Sequence, residues 1–78
     1  MVYPQKARQL NIQGKVYVSC IIEKDGYVSE VMVVRSVDPE LDAEAVRVIK
    51  MMPRLEPGKV DGKPVRIRYT IPINFRMK

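Results

Sequence analysis

The sequence of 78 residues contains no histidine and no tryptophan, and it has a single cysteine, Cys20. The lack of histidine excludes imidazole acid–base catalysis and histidine-ligated metal sites. One cysteine cannot form an intramolecular disulfide or a CxxC site. The apolar runs are only a few residues long, so the sequence predicts neither a membrane-spanning helix nor a signal peptide. No Ser–His, Cys–His or paired-carboxylate arrangement can be built, so we expect no enzyme, catalytic residue, metal or cofactor.

The composition that remains is typical of one small globular domain, with 46 % hydrophobic and 29 % charged residues. The net charge of +5 is unevenly placed: residues 1–44 carry five basic and seven acidic groups, whereas residues 45–78 carry nine basic and two acidic groups. A basic C-terminal half favours an acidic partner, a phosphate backbone or an anionic surface. A solvated, solubilising face explains the same charge, so charge alone leaves both interpretations open.

The hydrophobic pattern predicts the element order helix, strand, strand, helix, strand. An Asp-Gly pair at residues 25–26 is a strong hairpin signal between the first two strands, because glycine accepts a positive φ. The apolar alternation of the second strand is imperfect, which predicts a bulge near Ser29 and Glu30. The predicted helices cover residues 4–11 and 39–51, and the predicted strands cover residues 15–23, 27–36 and 65–75.

These elements predict an α+β fold in one domain that spans residues 1–78. We expect a three-stranded antiparallel sheet with both helices packed on one face. The last strand has the clearest alternation, with apolar residues at every second position and Pro72 as the exception on the polar side. Residues 53–63 are predicted to form a loop, because Pro57-Gly58 and Asp61-Gly62 interrupt that stretch.

Pro72 indicates where the last strand lies in the sheet. Proline cannot donate a ladder hydrogen bond, so it suits an edge strand. Because the hairpin already pairs the first two strands, we expect the third beside the first, with its outer side unpaired. Arginines and a proline are ordinary means of blunting such an edge. The functional alternative is β-augmentation, in which an extended segment of a partner adds a strand there. The pattern alone leaves both open.

A series of short motifs extends from the start of the chain almost to its end. Each motif is weak alone, but their order and spacing are specific, and together they resemble the C-terminal domain of TonB, the periplasmic energy transducer of Gram-negative bacteria. The last motif, Ile71-Pro72-Ile73-Asn74-Phe75, resembles the C-terminal end of TonB-like proteins of the Bacteroidetes in particular. The sequence departs from that family where Arg54-Leu55-Glu56 replaces an aromatic residue. The motifs are Tyr3-Pro4, Gly14-Lys15-Val16, Asp25-Gly26-Tyr27-Val28, Val31, Val33, Ser36, Leu41-Asp42, Ala45, Pro57-Gly58, Gly62-Lys63-Pro64-Val65 and Ile71-Pro72-Ile73-Asn74-Phe75.

The resemblance implies a function for the last strand. In that family the domain pairs this strand with the Ton box, a short N-terminal segment of an outer-membrane TonB-dependent transporter. Arg66 and Arg68 are expected to contact acidic residues near a Ton box, and Tyr3 and Pro4 are additional candidate contacts. The candidate binding residues carried over by position are Arg66, Ile67, Arg68, Tyr69, Thr70, Ile71, Pro72, Ile73 and Asn74.

The resemblance also implies a larger assembly. It implies that the chain is the periplasmic domain of a longer protein of a Gram-negative bacterium. That protein would have an N-terminal inner-membrane anchor, preceding this chain, that couples to an ExbB/ExbD-type motor driven by the proton gradient. An open strand edge on a thin core further predicts a tendency to form homodimers, through strand exchange or edge pairing.

Two other functions are compatible with parts of the sequence. A nucleic-acid-binding module agrees with the basic C-terminal half, but the single phenylalanine and the lack of an RNP-like motif argue against it, so we expect no nucleic-acid partner. Steep salt dependence of binding to random-sequence DNA would favour that module. The same family domain also occurs at the end of membrane sensor-protease-type proteins, where its role is less defined.

Overall fold

A computed structural model describes residues 2–77 and places two helices and five strands in them. The predicted order of helix, strand, strand, helix and final strand is confirmed, with bounds that differ by at most two residues. Neither helix in this part of the chain is long and apolar enough to cross a membrane. The helices are α1 (Gln5–Gln9) and α2 (Pro39–Lys50), and the strands are β1 (Gly14–Ile22), β2 (Val28–Arg35), β3 (Gly58–Val60), β4 (Lys63–Val65) and β5 (Ile67–Phe75).

The main sheet has the strand order β2-β1-β5, and both pairings are antiparallel. The pairing of β1 with β5 is uninterrupted from Gly14 opposite Phe75 to Ile22 opposite Ile67. The predicted three-stranded antiparallel sheet, with the last strand beside the first, is therefore confirmed. The strand that Pro72 predicted to be at an edge is at an edge.

The core lies between one face of this sheet and the two helices, as the alternation in β1 predicts. The side chains of Val16, Val18 and Cys20, at every second position of β1, are fully buried there. Burial raises the pKa of the Cys20 thiol, so it behaves as a small apolar residue. The buried cluster comprises Ala7, Val16, Val18, Cys20, Leu41, Ala45, Ile49 and Phe75.

Local signals explain where the helices begin and end. Asp38 caps α2 by accepting a hydrogen bond from the Glu40 N–H at 3.0 Å, and Pro39 follows in the first turn. The shorter helix α1 ends earlier than predicted because Asn11 adopts a left-handed conformation, with φ 58°. The N–H of Ile12 then reaches back to the carbonyl of Ala7 at 2.8 Å, which closes the helix as a Schellman motif.

Strand β2 is irregular at two places. Its register against β1 shifts between the partners of Ser19 and Ile21, which leaves Glu30 as an extra residue with φ 47°. The predicted bulge near Ser29 and Glu30 is therefore confirmed. A second register shift leaves Val34 as an extra residue. Each bulge interrupts the ladder and increases the local twist of β2.

The stretch predicted as a loop over residues 53–63 contains part of a second, two-stranded sheet, so that prediction was incomplete. Strands β3 and β4 form a hairpin that pairs Gly58 with Val65. Its turn consists of Asp61 and Gly62, both with positive φ (50° and 75°), as a type I′ turn requires. The Asp-Gly signal was recognised, but strands of three residues are too short to produce a periodic pattern.

The chain before this hairpin packs on the β1–β2 turn through Gly26. The Leu55 N–H donates to the Gly26 carbonyl at 2.8 Å, and the Arg54 guanidinium lies 5.7 Å from the centre of the Tyr27 ring. Arg54 also donates to the Asp25 carbonyl at 2.6 Å. Arg54 thus fastens this segment by a cation–π contact, at the place where the family resemblance led us to look for an aromatic residue.

We expect Gly26→Ala to destabilise the domain far more than Gly62→Ala. Both glycines have positive φ, which costs an alanine about 1–2 kcal/mol. At Gly26 a Cβ would also lie 2.0 Å from the Leu55 carbonyl oxygen, whereas at Gly62 it would meet nothing within 4 Å. Urea unfolding should give a loss of more than about 2 kcal/mol for Gly26→Ala and about 1 kcal/mol for Gly62→Ala. Equal losses would contradict the packing of Leu55 on Gly26.

The carboxylate of Glu44 connects α2 to the start of the described chain. It pairs with the Arg47 guanidinium at 2.6 Å and accepts a hydrogen bond from the Val2 N–H at 2.7 Å. Chiefly because of the hydrogen bonds from Arg47, the pKa of Glu44 falls to about 2 from its ordinary value of 4.5. The folded state therefore favours the ionised form of this side chain.

This pKa predicts a pH-dependent contribution to stability. A carboxyl whose pKa is lower in the folded state stabilises fully above its unfolded pKa and loses that contribution as pH falls through its folded pKa. The stability advantage of the wild-type domain over Glu44→Gln should therefore be constant above about pH 5.5 and disappear between about pH 4.5 and pH 2. Urea unfolding of both proteins at a series of pH values measures it. An advantage that persisted unchanged at pH 2 would contradict the prediction.

Candidate partner-binding edge

Strand β5 has one paired side and one open side. Its inner side pairs with β1 over nine consecutive residue pairs. On its outer side, no strand in residues 2–77 pairs with it, because β3 and β4 form a sheet of their own. The opposite edge of the main sheet, β2, is also unpaired in this part of the chain, but its two bulges make it irregular. Strand β5 is therefore the long and regular edge.

The hairpin hydrogen bond between Glu23 and Tyr27, together with the register of β5 against β1, shows which backbone groups of β5 point outward. The Glu23 N–H donates to the Tyr27 carbonyl at 2.9 Å, and successive residues of a strand turn their backbone groups to opposite sides. Odd-numbered residues of β1 therefore face β2, and even-numbered residues face β5, where they pair with odd-numbered residues. The backbone groups that face outward, called the outer edge below, belong to Arg68, Thr70, Pro72 and Asn74.

Pro72 fits this arrangement. Its nitrogen has no hydrogen, and the register places it opposite Tyr17 with its backbone groups on the outer side. The ladder between β1 and β5 therefore loses no hydrogen bond to the proline, as is usual for proline in edge strands. The outer edge presents three N–H groups and four carbonyls.

The candidate residues of β5 divide between the two faces of the sheet. Ile71 and Ile73 are half-buried and pack against the core, and Ile67 is also half-buried. Their side chains support the strand and do not face a partner. Tyr69 is 46 % exposed. The side chains of the outer-edge residues are all exposed: Arg68, Thr70, Pro72 and Asn74.

Arg66 precedes β5 and is engaged within the domain. Its guanidinium forms ion pairs with Glu23, at 2.7 Å, and with Glu30, at 3.0 Å. Hydrogen bonds from Arg66 and from Ser29 hold the pKa of Glu23 below its usual range. Sequence reasoning missed these pairs, because Glu23 and Glu30 are 43 and 36 residues away along the chain. The positive charge of Arg66 is therefore matched by carboxylates of the domain itself.

Arg68 differs from Arg66. One of its guanidinium nitrogens donates to the Ser19 hydroxyl at 3.0 Å. Within residues 2–77 it forms no ion pair with a carboxylate. Of the two arginines predicted to contact a partner, Arg68 therefore carries the charge that the described chain leaves unmatched.

Tyr3 and Pro4 have structural contacts within the described chain. The Tyr3 ring packs edge-on against Phe75, with the ring centres 5.6 Å apart, and its hydroxyl donates to the Ile12 carbonyl. Pro4 precedes the first turn of α1. These contacts fasten the start of the described chain to the end of β5. No group of three or more metal-ligating side chains is present in residues 2–77.

The sequence matches the family model described as Gram-negative bacterial TonB protein C-terminal, over residues 1–77. The chain belongs to the TonB C-terminal domain family. A TonB C-terminal domain is a non-enzymatic part of an energy transducer, and in Gram-negative bacteria it is periplasmic. The predicted family is therefore confirmed, whereas the closer resemblance to the Bacteroidetes stays a prediction. No curated protein matches the sequence.

Solved TonB C-terminal domains have the same fold. The solution structure from Pseudomonas aeruginosa is 31 % identical, with a TM-score of 0.72 over 99 % of this chain and 78 % of that one. A solution structure from Helicobacter pylori is 29 % identical, with a TM-score of 0.73 over 99 % of this chain and 69 % of that one. A second Helicobacter pylori structure gives a TM-score of 0.70 at 29 % identity, over 96 % and 78 % of the two chains.

Proposed function

We propose that this TonB C-terminal domain binds the Ton box of an outer-membrane TonB-dependent transporter by β-strand addition to β5. The observation that carries the proposal is the regular outer edge, whose outward N–H and carbonyl groups belong to Arg68, Thr70, Pro72 and Asn74. In the proposed cycle, an inner-membrane anchor outside this chain connects the domain to an ExbB/ExbD-type motor. The domain then transmits proton-motive force to the transporter for nutrient uptake.

The difference between the two sheet edges supports β5 as the binding strand. Strand addition needs a row of evenly spaced backbone groups. Bulges at Glu30 and Val34 break that row on β2 and are a common means of blocking an edge. Strand β5 keeps its register over its whole length. An extended partner therefore finds a strand without bulges on β5 and a bulged one on β2.

The side chain of Arg68 supports an acidic partner segment. Arg68 is an exposed residue whose guanidinium donates to Ser19 and, within residues 2–77, is matched by no carboxylate. A carboxylate near the Ton box would form a charge-assisted hydrogen bond with it. Arg66 is already paired with Glu23 and Glu30, so we assign the electrostatic contribution to Arg68.

The packing of Tyr3 on Phe75 supports force transmission. Tension applied through the N-terminal end of the domain would reach Tyr3, whose ring contacts the last residue of β5. Backbone hydrogen bonds loaded side by side share that tension, although each contributes only about 0.5–1.5 kcal/mol. A strand-to-strand contact of this kind holds under load and still dissociates without any covalent chemistry.

An NMR titration with a synthetic Ton box peptide tests the proposal. We expect the largest amide shifts in β5, and slower hydrogen exchange at outward amides of the outer edge than in the free domain. The inward amides of Tyr69, Ile71 and Ile73 are paired with β1 already and should change little. A scrambled peptide of the same composition is the control. Shifts confined to α2, with exchange in β5 unchanged, would contradict the proposal.

A further inference from the structure

The outer edge lacks one donor. Arg68, Thr70 and Asn74 each present an N–H and a carbonyl outward, whereas Pro72 presents a carbonyl alone. Its pyrrolidine ring also fills the place where an amide hydrogen would lie. The outer edge is therefore divided into two complete pairs of backbone groups at Arg68 and Thr70 and one isolated pair at Asn74.

We infer that a partner strand pairs with Arg68 and Thr70 and that its hydrogen bonding to β5 ends before Pro72. The inference rests on the proposed function and specifies which part of the edge binds. A strand that continued past Thr70 would place one of its own carbonyls against the proline ring without a donor, before it reached the Pro72 carbonyl. That unpaired carbonyl costs about as much as the additional hydrogen bonds at Pro72 and Asn74 return.

The same geometry describes the partner segment. A stretch of about three extended residues covers positions 68–70. The carbonyls of Arg68 and Thr70 each need an N–H from the partner. Proline is therefore excluded at the alternate partner positions that supply those N–H groups. This requirement holds for parallel and antiparallel partners, with the donors shifted by one residue between them.

Amide hydrogen exchange of the wild-type domain with a synthetic Ton box peptide tests the inference. We expect exchange at Arg68 and Thr70 to slow about tenfold or more, and exchange at Asn74 to change by less than about twofold. Equal slowing at Asn74 would overturn the inference and leave strand addition standing. No slowing at any of the three amides would instead contradict the proposed function.

Two variants test the role of the missing donor. Pro72→Ala supplies an N–H, so protection should extend to Asn74 and the affinity for the peptide should rise about threefold to tenfold. Asn74→Pro should change wild-type affinity by less than about twofold but reverse most of the gain when combined with Pro72→Ala. An Asn74→Pro loss in the wild-type domain as large as that of Thr70→Pro would overturn the inference. Amide spectra of the free variants establish that they fold.

Discussion

Thr70→Pro is expected to weaken Ton box binding roughly tenfold to a hundredfold while the domain stays folded. The Thr70 N–H faces outward, so its removal costs no hydrogen bond to β1. It does remove a donor from the paired segment and leaves a partner carbonyl unsatisfied, which costs about 1–3 kcal/mol. Isothermal titration calorimetry with a synthetic Ton box peptide measures the change.

Thr70→Val is the matched control for this experiment. Valine keeps the backbone N–H and the β-branched shape and removes only the hydroxyl of an exposed side chain. We expect its affinity to stay within about threefold of the wild type, because a single exposed hydroxyl contributes little. Similar losses for the proline and valine variants would show that the side chain, and not the backbone, binds the partner. Unchanged affinity of Thr70→Pro would contradict strand addition to β5.

Phe75→Ala is expected to destabilise the domain by about 3–5 kcal/mol. Phe75 is fully buried at the end of β5, in contact with the Tyr3 ring and opposite Gly14 in the sheet. A domain of this length has roughly 4–12 kcal/mol of total stability, so the substitution removes a large part of it. Thermal or urea unfolding measures the loss, and much of the protein should be unfolded near 37 °C.

Tyr69→Ala is the control for the loss of an aromatic residue from β5. Tyr69 lies on the same strand but is 46 % exposed, so its removal leaves no buried cavity. We expect a change of less than about 1 kcal/mol. A comparable loss in the two variants would mean that β-propensity of the strand dominates, and the position of Phe75 in the core would lose its assigned importance.

The main features of the fold could be predicted because they depend on local patterns. Alternation identified β1 and β5, and the helical period of apolar residues identified α2. Pro72 indicated that the last strand has a neighbouring strand on one side only, because a residue without an N–H is tolerated in a strand chiefly at a sheet edge. The β3–β4 hairpin was missed because three-residue strands have no measurable period, and because Pro64 lowers the expectation of a strand. Its stability comes from the type I′ turn at Asp61 and Gly62.

The candidate site could be predicted only in part. The sequence indicated the strand but not its outward groups, because a shift of one residue in register would exchange the two sides. The side that each residue of β5 faces follows from the pairing of β5 with β1, together with the hairpin bond from the Glu23 N–H to the Tyr27 carbonyl. The different environments of Arg66 and Arg68 depend on strands that are adjacent in space and distant in sequence. Sequence spacing carries no signal of such contacts.

The bulges of β2 limit how many copies of this domain can join through their sheets. Growth of a fibril requires each molecule to present two straight sheet edges, one to the molecule before it and one to the molecule after it. In this domain the β2 edge is kinked at Glu30 and Val34. Two domains that associate through β5 would therefore bury their straight edges against each other and leave the two kinked β2 edges exposed. We expect self-association by this route to end at a pair of domains.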